Sequence, residues 1–237
     1  MGALILDIET VRRENIDPAL LDKIRKRCAE NERDFETELA TSPFTATVAA
    51  IGMVKLGAIE ADDVTRVILA AATTETDGPE SWVWYGDEIG ALTAFWSRVS
   101  NYHLSPLVTF NGRGFDVPFL QARSLVCGVA PSRNWIDANR YGDRAIAKEH
   151  VDMMDVLGGR GSTRWMPSLA IVCDAFGIPS PKDGMSGADV GDAWRAGCYA
   201  DVATYLEGDL RATAALWRKM NPEPARHTDA RAVPIAP

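Results

Sequence analysis

Close to the N-terminus stands the run ALILDIET, an apolar segment interrupted by two acids placed two residues apart. Leu4, Ile5, Leu6 and Ile8 give it the character of a buried strand. Side chains alternate along a strand, so Asp7 and Glu9 share one face, roughly 6 to 7 Å apart at a rise of about 3.3 Å per residue. No basic residue is nearer in sequence than Arg12, and two unpaired carboxylates inside a sheet oppose folding. Taken alone, the pair reads equally as two acids at a solvent-facing strand end. Whatever the chain folds into must either wet these carboxylates or bring positive charge to them.

The remaining composition narrows the choice. At 237 residues, 46% hydrophobic and 24% charged, the chain is expected to form one medium α/β domain with a substantial core. No apolar run approaches the roughly 18 residues of a membrane span. The first residues carry no basic n-region, so no signal peptide is read, and Leu6 does not fit an N-myristoylation pattern. Cys28, Cys127, Cys173 and Cys198 are scattered without a C-x-x-C pair, and the three histidines complete no zinc spacing. Reduced thiols in a cytoplasmic protein follow as the expectation. A net charge of −8 gives no global nucleic-acid signature, so any such reading must come from a local site.

Along the chain, the charged stretch after the first strand, about 12–44, carries Ile16, Leu20, Leu21, Ile24 and Cys28 at near-helical spacing and reads as a helical insertion. TATVAAIGMVKL (45–56) and VTRVILAAAT (64–73) read as an antiparallel pair of strands. DEIGALTAFWSRVSN (87–101) places Ile89, Leu92, Phe95, Trp96 and Val99 on one helical face, with Asp87 as N-cap. PLVTFNGRGFD (106–116) is a buried strand entering a glycine turn, followed by a helix over 117–128 stopped by Gly128. A weaker strand is read at HVDMMDVL (150–157), a flexible loop at GGRGSTRW (158–165), a helix at SLAIVCDAFG (168–177) and a long amphipathic helix from Tyr199 to Met220. The tail, 221–237, has prolines at 222, 224, 234 and 237 and is expected to be disordered. Antiparallel strands followed by alternating helix and strand imply an α/β fold, a mixed five-stranded sheet flanked by helices.

Two further segments join an acid to unusual neighbours: NGRGFD (111–116) and YLEGD (205–209). Tyr205 and Asp209 are four apart on a helix and lie on one face. Asp7, Glu9, Asp116 and Asp209 therefore offer hard oxygen ligands with no histidine among them, which favours Mg²⁺ or Mn²⁺ over zinc.

The ordered set DIE, N-x3-F-D and Y-x3-D resembles the three exonuclease motifs of the DEDD, or DnaQ-like, superfamily. Its tyrosine resembles the DEDDy branch, which includes the proofreading domains of family-B DNA polymerases. The flanking LVTFN and GDLRAT are most similar to stand-alone predicted exonucleases related to that domain. The resemblance runs over about residues 3–219 and implies a ribonuclease H-like fold in a domain spanning 1–220. It implies a 3′-to-5′ exonuclease that releases nucleoside 5′-monophosphates from a single-stranded DNA 3′ end, using two Mg²⁺ or Mn²⁺ ions.

By the same resemblance, Asp7 would bridge both metals, Glu9 and Asp209 would hold the nucleophile-side ion, and Asp116 would act through the second. Tyr205 would orient the attacking water. Asn111 and Phe115 would contact the 3′-terminal nucleotide, although a turn asparagine and a core phenylalanine explain them equally. RNA stays open as a substrate, since the DEDDy branch includes RNA-trimming enzymes, and so does a catalytically silent nucleic-acid-binding module. The acidic charge suggests modest affinity, with a protein partner as one source of DNA binding. Asp152 and Asp155 are rival metal ligands, read in preference as solvent-facing or helix-capping. His150 and Trp165 read as structural sooner than as site residues. The basic cluster Lys23, Arg25, Lys26 and Arg27, with Arg12 and Arg13, reads as a solvated helix face sooner than as a DNA-steering patch.

Overall fold

Strand β1 (Ala3–Arg12) is the centre of the sheet. In the computed structural model the described residues are 3–56, 81–102, 106–133, 149–159, 167–179 and 185–221. β1 is followed by helices α1 (Pro18–Glu30) and α2 (Phe35–Thr41), then β2 (Ala46–Leu56), β3 (Ser81–Tyr85), α3 (Glu88–Val99) and β4 (Leu107–Thr109). After these come α4 (Asp116–Cys127), β5 (His150–Asp152), α5 (Met153–Leu157), α6 (Leu169–Phe176), α7 (Val190–Arg195) and α8 (Tyr199–Met220). The order is β3-β2-β1-β4-β5. β1 pairs antiparallel with β2 and parallel with β4, so the sheet is mixed, with five strands among the described residues.

Alternation along β1 sends its apolar side chains to two cores. Ala3 and Ile5 join Val54, Val108, Leu206 and Leu210 on the α8 side. Leu4, Leu6 and Ile8 join Phe95, Val117 and Leu120 on the α3 and α4 side. Asp7 and Glu9 continue the first of these rows and so face α8. At the point opposite Asp7 in β2 stands Gly52. A Cβ there would lie 2.4 Å from Leu210 Cδ1 and 3.1 Å from Leu206, so the missing side chain is what lets α8 lie this close to the strands.

Local signals act as their chemistry suggests. The Asp87 and Ser168 side chains accept the N–H groups of Gly90 and Ile171 at the starts of α3 and α6, and Gly128 closes α4 in the left-handed region at φ 70°. α1 and α2 fill the expected helical insertion. The charges on and beside them pair with acids: Arg12 of β1 with Glu36, Arg25 with Asp22, and Arg27 and Arg33 with Glu38.

Two expectations change. The strand beside β2 is SWVWY, Ser81–Tyr85, an aromatic run that periodicity over so few residues does not single out. The strand read over 64–73 lies outside the described residues, as do most of GGRGSTRW, Trp165 and the tail beyond Asn221. β5 is three residues long, and 153–157 is helix instead of strand. The cause is Asp152, whose carboxylate accepts the N–H groups of Met154 and Asp155 and turns the chain into α5. Among the described residues, no helix is long and apolar enough to cross a membrane.

Candidate metal and catalytic site

At Glu9 the β1–β2 register slips: Glu9 lies opposite Ala50 and Thr10 opposite Val48, leaving Ala49 as an extra residue. Such a bulge sharpens the twist and re-aims neighbouring side chains. It falls where the strand carries its acids. α8 crosses this face and presents Tyr205 and Asp209, one turn apart. Carboxylate oxygens of Asp7, Glu9 and Asp209 all lie within 4.8 Å of one another. The Tyr205 hydroxyl lies beside the Asp209 carboxylate, and its ring packs against the cluster of Val11, Ala49, Val190 and Val202.

Asp116 reaches the same place from the other side of the sheet. It opens α4, where helix N–H groups favour a carboxylate. β4 pairs with β1 only at Leu4 and Ile5. Leu4 N–H donates to Pro106 O, but beyond the end of β4 the N–H of Ile8, pointing the same way, has lost its strand partner. Asp116 Oδ1 takes it, at 3.1 Å. The Asp116 carboxyl also adjoins that of Asp7 and stands outside the set of three clustered acids.

Burial first, then repulsion from Asp116, Glu9 and Asp209, pushes the Asp7 carboxyl well above the usual range. Burial and the Asp209 and Asp116 charges do the same for Glu9. Burial raises Asp116 to about 7 against the pull of its hydrogen bonds. These are acids sharing a small volume with no base among the causes of their shifts, an arrangement that oxygen-seeking divalent cations relieve. The donor set fits Mg²⁺ or Mn²⁺ and holds no soft ligand.

The turn between β4 and α4 carries Asn111 at φ 70°, in the left-handed region that asparagine tolerates better than most residues. Its tightness is set by Gly112, where a Cβ would stand 2.4 Å from the Thr109 side chain. Asn111 lines a cleft of about 300 Å³ together with Asp7, Tyr205, Asp209, Phe110 and Leu169. Phe115 does not line it: its ring packs on Phe119, 5.4 Å away, against the α3–α4 core. Phe110, which the sequence pattern assigns only to the strand, lines the cleft beside Asn111. Its place beside Asn111 is the one signal that singles it out.

The rival acids have other work. Asp152 is 2% exposed and accepts backbone N–H groups, and Asp155 pairs with Arg113 at 3.2 Å. His150 is buried, its ring Nε2 is 2.9 Å from Thr109 Oγ1, and burial lowers it to about 3, so it stays neutral.

A carboxylate cluster at the end of the central strand of a mixed sheet, closed by a helix bearing Tyr-x3-Asp, is an arrangement that could hold divalent cations. The family model described as "predicted 3′-5′ exonuclease related to the exonuclease domain of PolB" matches residues 45–230, and the chain belongs to that family. The matched region contains Asp116, Tyr205 and Asp209 but begins after β1. Asp7 and Glu9 therefore rest on the clustering just described. Among solved structures, the family B DNA polymerase of the hyperthermophilic archaeon Pyrobaculum calidifontis is similar with a TM-score of 0.59 at 17% identity, over 93% of this chain and 24% of that one. The chain thus spans about a quarter of that polymerase's length, and the likeness shows the fold. Escherichia coli exonuclease I in complex with a dT13 oligonucleotide is similar with a TM-score of 0.45 at 14% identity, over 93% of this chain and 41% of that one. No curated protein matches the chain.

Proposed function

We propose that this protein is a metal-dependent 3′-to-5′ exonuclease that removes nucleoside 5′-monophosphates from the 3′ end of single-stranded DNA. The observation that carries the reading is the meeting of Asp7, Glu9 and Asp209 oxygens within 4.8 Å, at the rim of a cleft that also presents Asn111 and Tyr205. DNA is favoured over RNA because the family is defined by its relation to a DNA polymerase exonuclease domain.

Asp7, Glu9 and Asp209 would hold one divalent ion, and Asp116, through its contact with Asp7, would serve a second. When bound, the two ions supply activated water and neutralise charge on the leaving 3′ oxygen. The chain's own residues do the rest. Tyr205 has an ordinary phenol value of about 10, so it is protonated at neutral pH, and in the metal-free site burial and then the charges of Asp209, Glu9 and Asp7 raise it further. It therefore orients water through its hydroxyl and does not act as a base. Asn111 offers its side chain to the terminal nucleotide, and Phe110 offers an apolar wall to the sugar or base.

The test is a 5′-labelled single-stranded oligonucleotide incubated with Mn²⁺ or with EDTA, beside the Asp7→Ala variant and an RNA of the same sequence. Shortening from the 3′ end in Mn²⁺, absent in EDTA and lost in the variant, is the expected result. A wild-type protein that degrades nothing, or cuts equally well in EDTA, overturns the reading. Faster trimming of the RNA would move the substrate from DNA to RNA.

A further inference from the structure

The second acid-bearing turn is suspended from a single buried side chain. Asp152 Oδ1 accepts the N–H of Asn111 at 2.9 Å, and Oδ2 accepts the N–H of Arg113 at 2.9 Å. The same carboxylate caps α5 through Met154 N–H at 3.1 Å and Asp155 N–H at 3.4 Å. Its side chain comes from the end of β5, which is paired to β4 at Thr109↔Asp152. The Arg113 guanidinium reinforces this tie by donating to His150 O and to Asp155 Oδ2. Both oxygens of a 2% exposed carboxylate thus accept backbone N–H groups of the turn.

What the turn holds in place is Asn111, left-handed at φ 70° and facing the cleft that contains Asp7, Tyr205 and Asp209. The two backbone hydrogen bonds to Asp152 fix the turn in that conformation. We propose that Asp152 is a positioning residue for substrate: by bonding both N–H groups that flank Gly112 it fixes Asn111 where its side chain meets the 3′-terminal nucleotide. The inference rests on the exonuclease reading. It assigns Asp152 to neither the metal ions nor the chemical step, so the expected effect of its loss is on substrate capture.

Asp152→Asn is the informative variant, because an amide keeps one accepting oxygen for the α5 cap but cannot accept from both turn N–H groups. Asn111→Gly removes only the side chain, since glycine adopts positive φ without strain. Steady-state kinetics on the labelled single strand in Mn²⁺ should show KM raised on the order of tenfold for each variant, with kcat within about twofold of wild type. The Asp152→Asn/Asn111→Gly double variant should be no worse in KM than Asn111→Gly alone, because the first residue acts only through the second. The rise in melting temperature caused by Mn²⁺ should be the same in all four proteins. A KM unchanged in Asp152→Asn, a double variant whose losses multiply, or a Mn²⁺ shift that disappears in Asp152→Asn overturns the proposal while leaving the exonuclease reading intact. A wild type that cuts no oligonucleotide removes both.

Discussion

The division of labour between Tyr205 and its acidic neighbours sets expectations for single substitutions. Burial and the Asp209, Glu9 and Asp7 charges raise the phenol in the metal-free site, and in the proposed mechanism its contribution is the placement of water. Tyr205→Phe should therefore lower kcat by about ten- to a hundredfold, the range of a misplaced reactant. Asp7→Ala deprives the site of the acid common to the Asp209 cluster and the Asp116 contact. Loss of several kcal/mol of charge stabilisation predicts a fall of about a thousandfold or more. Single-turnover rates on the same oligonucleotide distinguish the two. A Tyr205→Phe variant as inactive as Asp7→Ala would contradict the water-positioning role.

At the scale of elements, the site exists because α8 lies close against β1 and β2. Gly52 permits that approach, opposite Asp7 and beneath Leu206 and Leu210. Gly52→Ala introduces a methyl 2.4 Å from Leu210 Cδ1, and a strained core of this kind costs about 1–3 kcal/mol. Urea unfolding should show that loss of stability. Activity should fall further than stability, because any outward shift of α8 carries Asp209 and Tyr205 away from Asp7. Full activity in a destabilised Gly52→Ala would show that the leucines yield and the helix stays. By contrast, Arg25 and Arg27 of α1, with Arg12 and Arg33 beside the two helices, pair with acids of the same segment, which offsets part of the insertion's positive charge toward a nucleic acid.

For the whole molecule, the shared acids make stability depend on pH and metal together. Asp116 is raised from an ordinary value near 3.8 to about 7, and Asp7 and Glu9 are raised as well. The metal-free fold therefore binds more protons than the unfolded chain between those limits. Its stability contribution is fully present below the unfolded value and is lost as pH rises through the folded one. In EDTA the melting temperature should be higher near pH 5 than near pH 8. Mn²⁺ should reverse or flatten the trend by stabilising the ionised cluster, and Asp7→Asn should weaken the metal's effect. Differential scanning fluorimetry at the two pH values checks both. A net charge of −8 also predicts that strand binding weakens only gently with added salt, since few phosphates are neutralised. A steep salt dependence would instead point to a basic surface.

Much of this protein was legible in residues close together in the chain. The alternation in ALILDIET placed Asp7 and Glu9 on one face, the cap residues Asp87, Ser168 and Gly128 bounded three helices, and the four-residue spacing of Tyr205 and Asp209 put them on one turn of α8. Each is a short-range consequence of strand or helix geometry, which sequence alone carries. What the sequence left undecided depends on contacts between distant segments. Whether Asp152 binds metal or backbone depends on a turn some forty residues before it. That Phe110 faces the cleft and Phe115 the core depends on how that turn packs. The meeting of the acids themselves required the bulge at Glu9 and the clearance at Gly52, because a carboxylate's partner is fixed by the distance between oxygens and not by their separation along the chain.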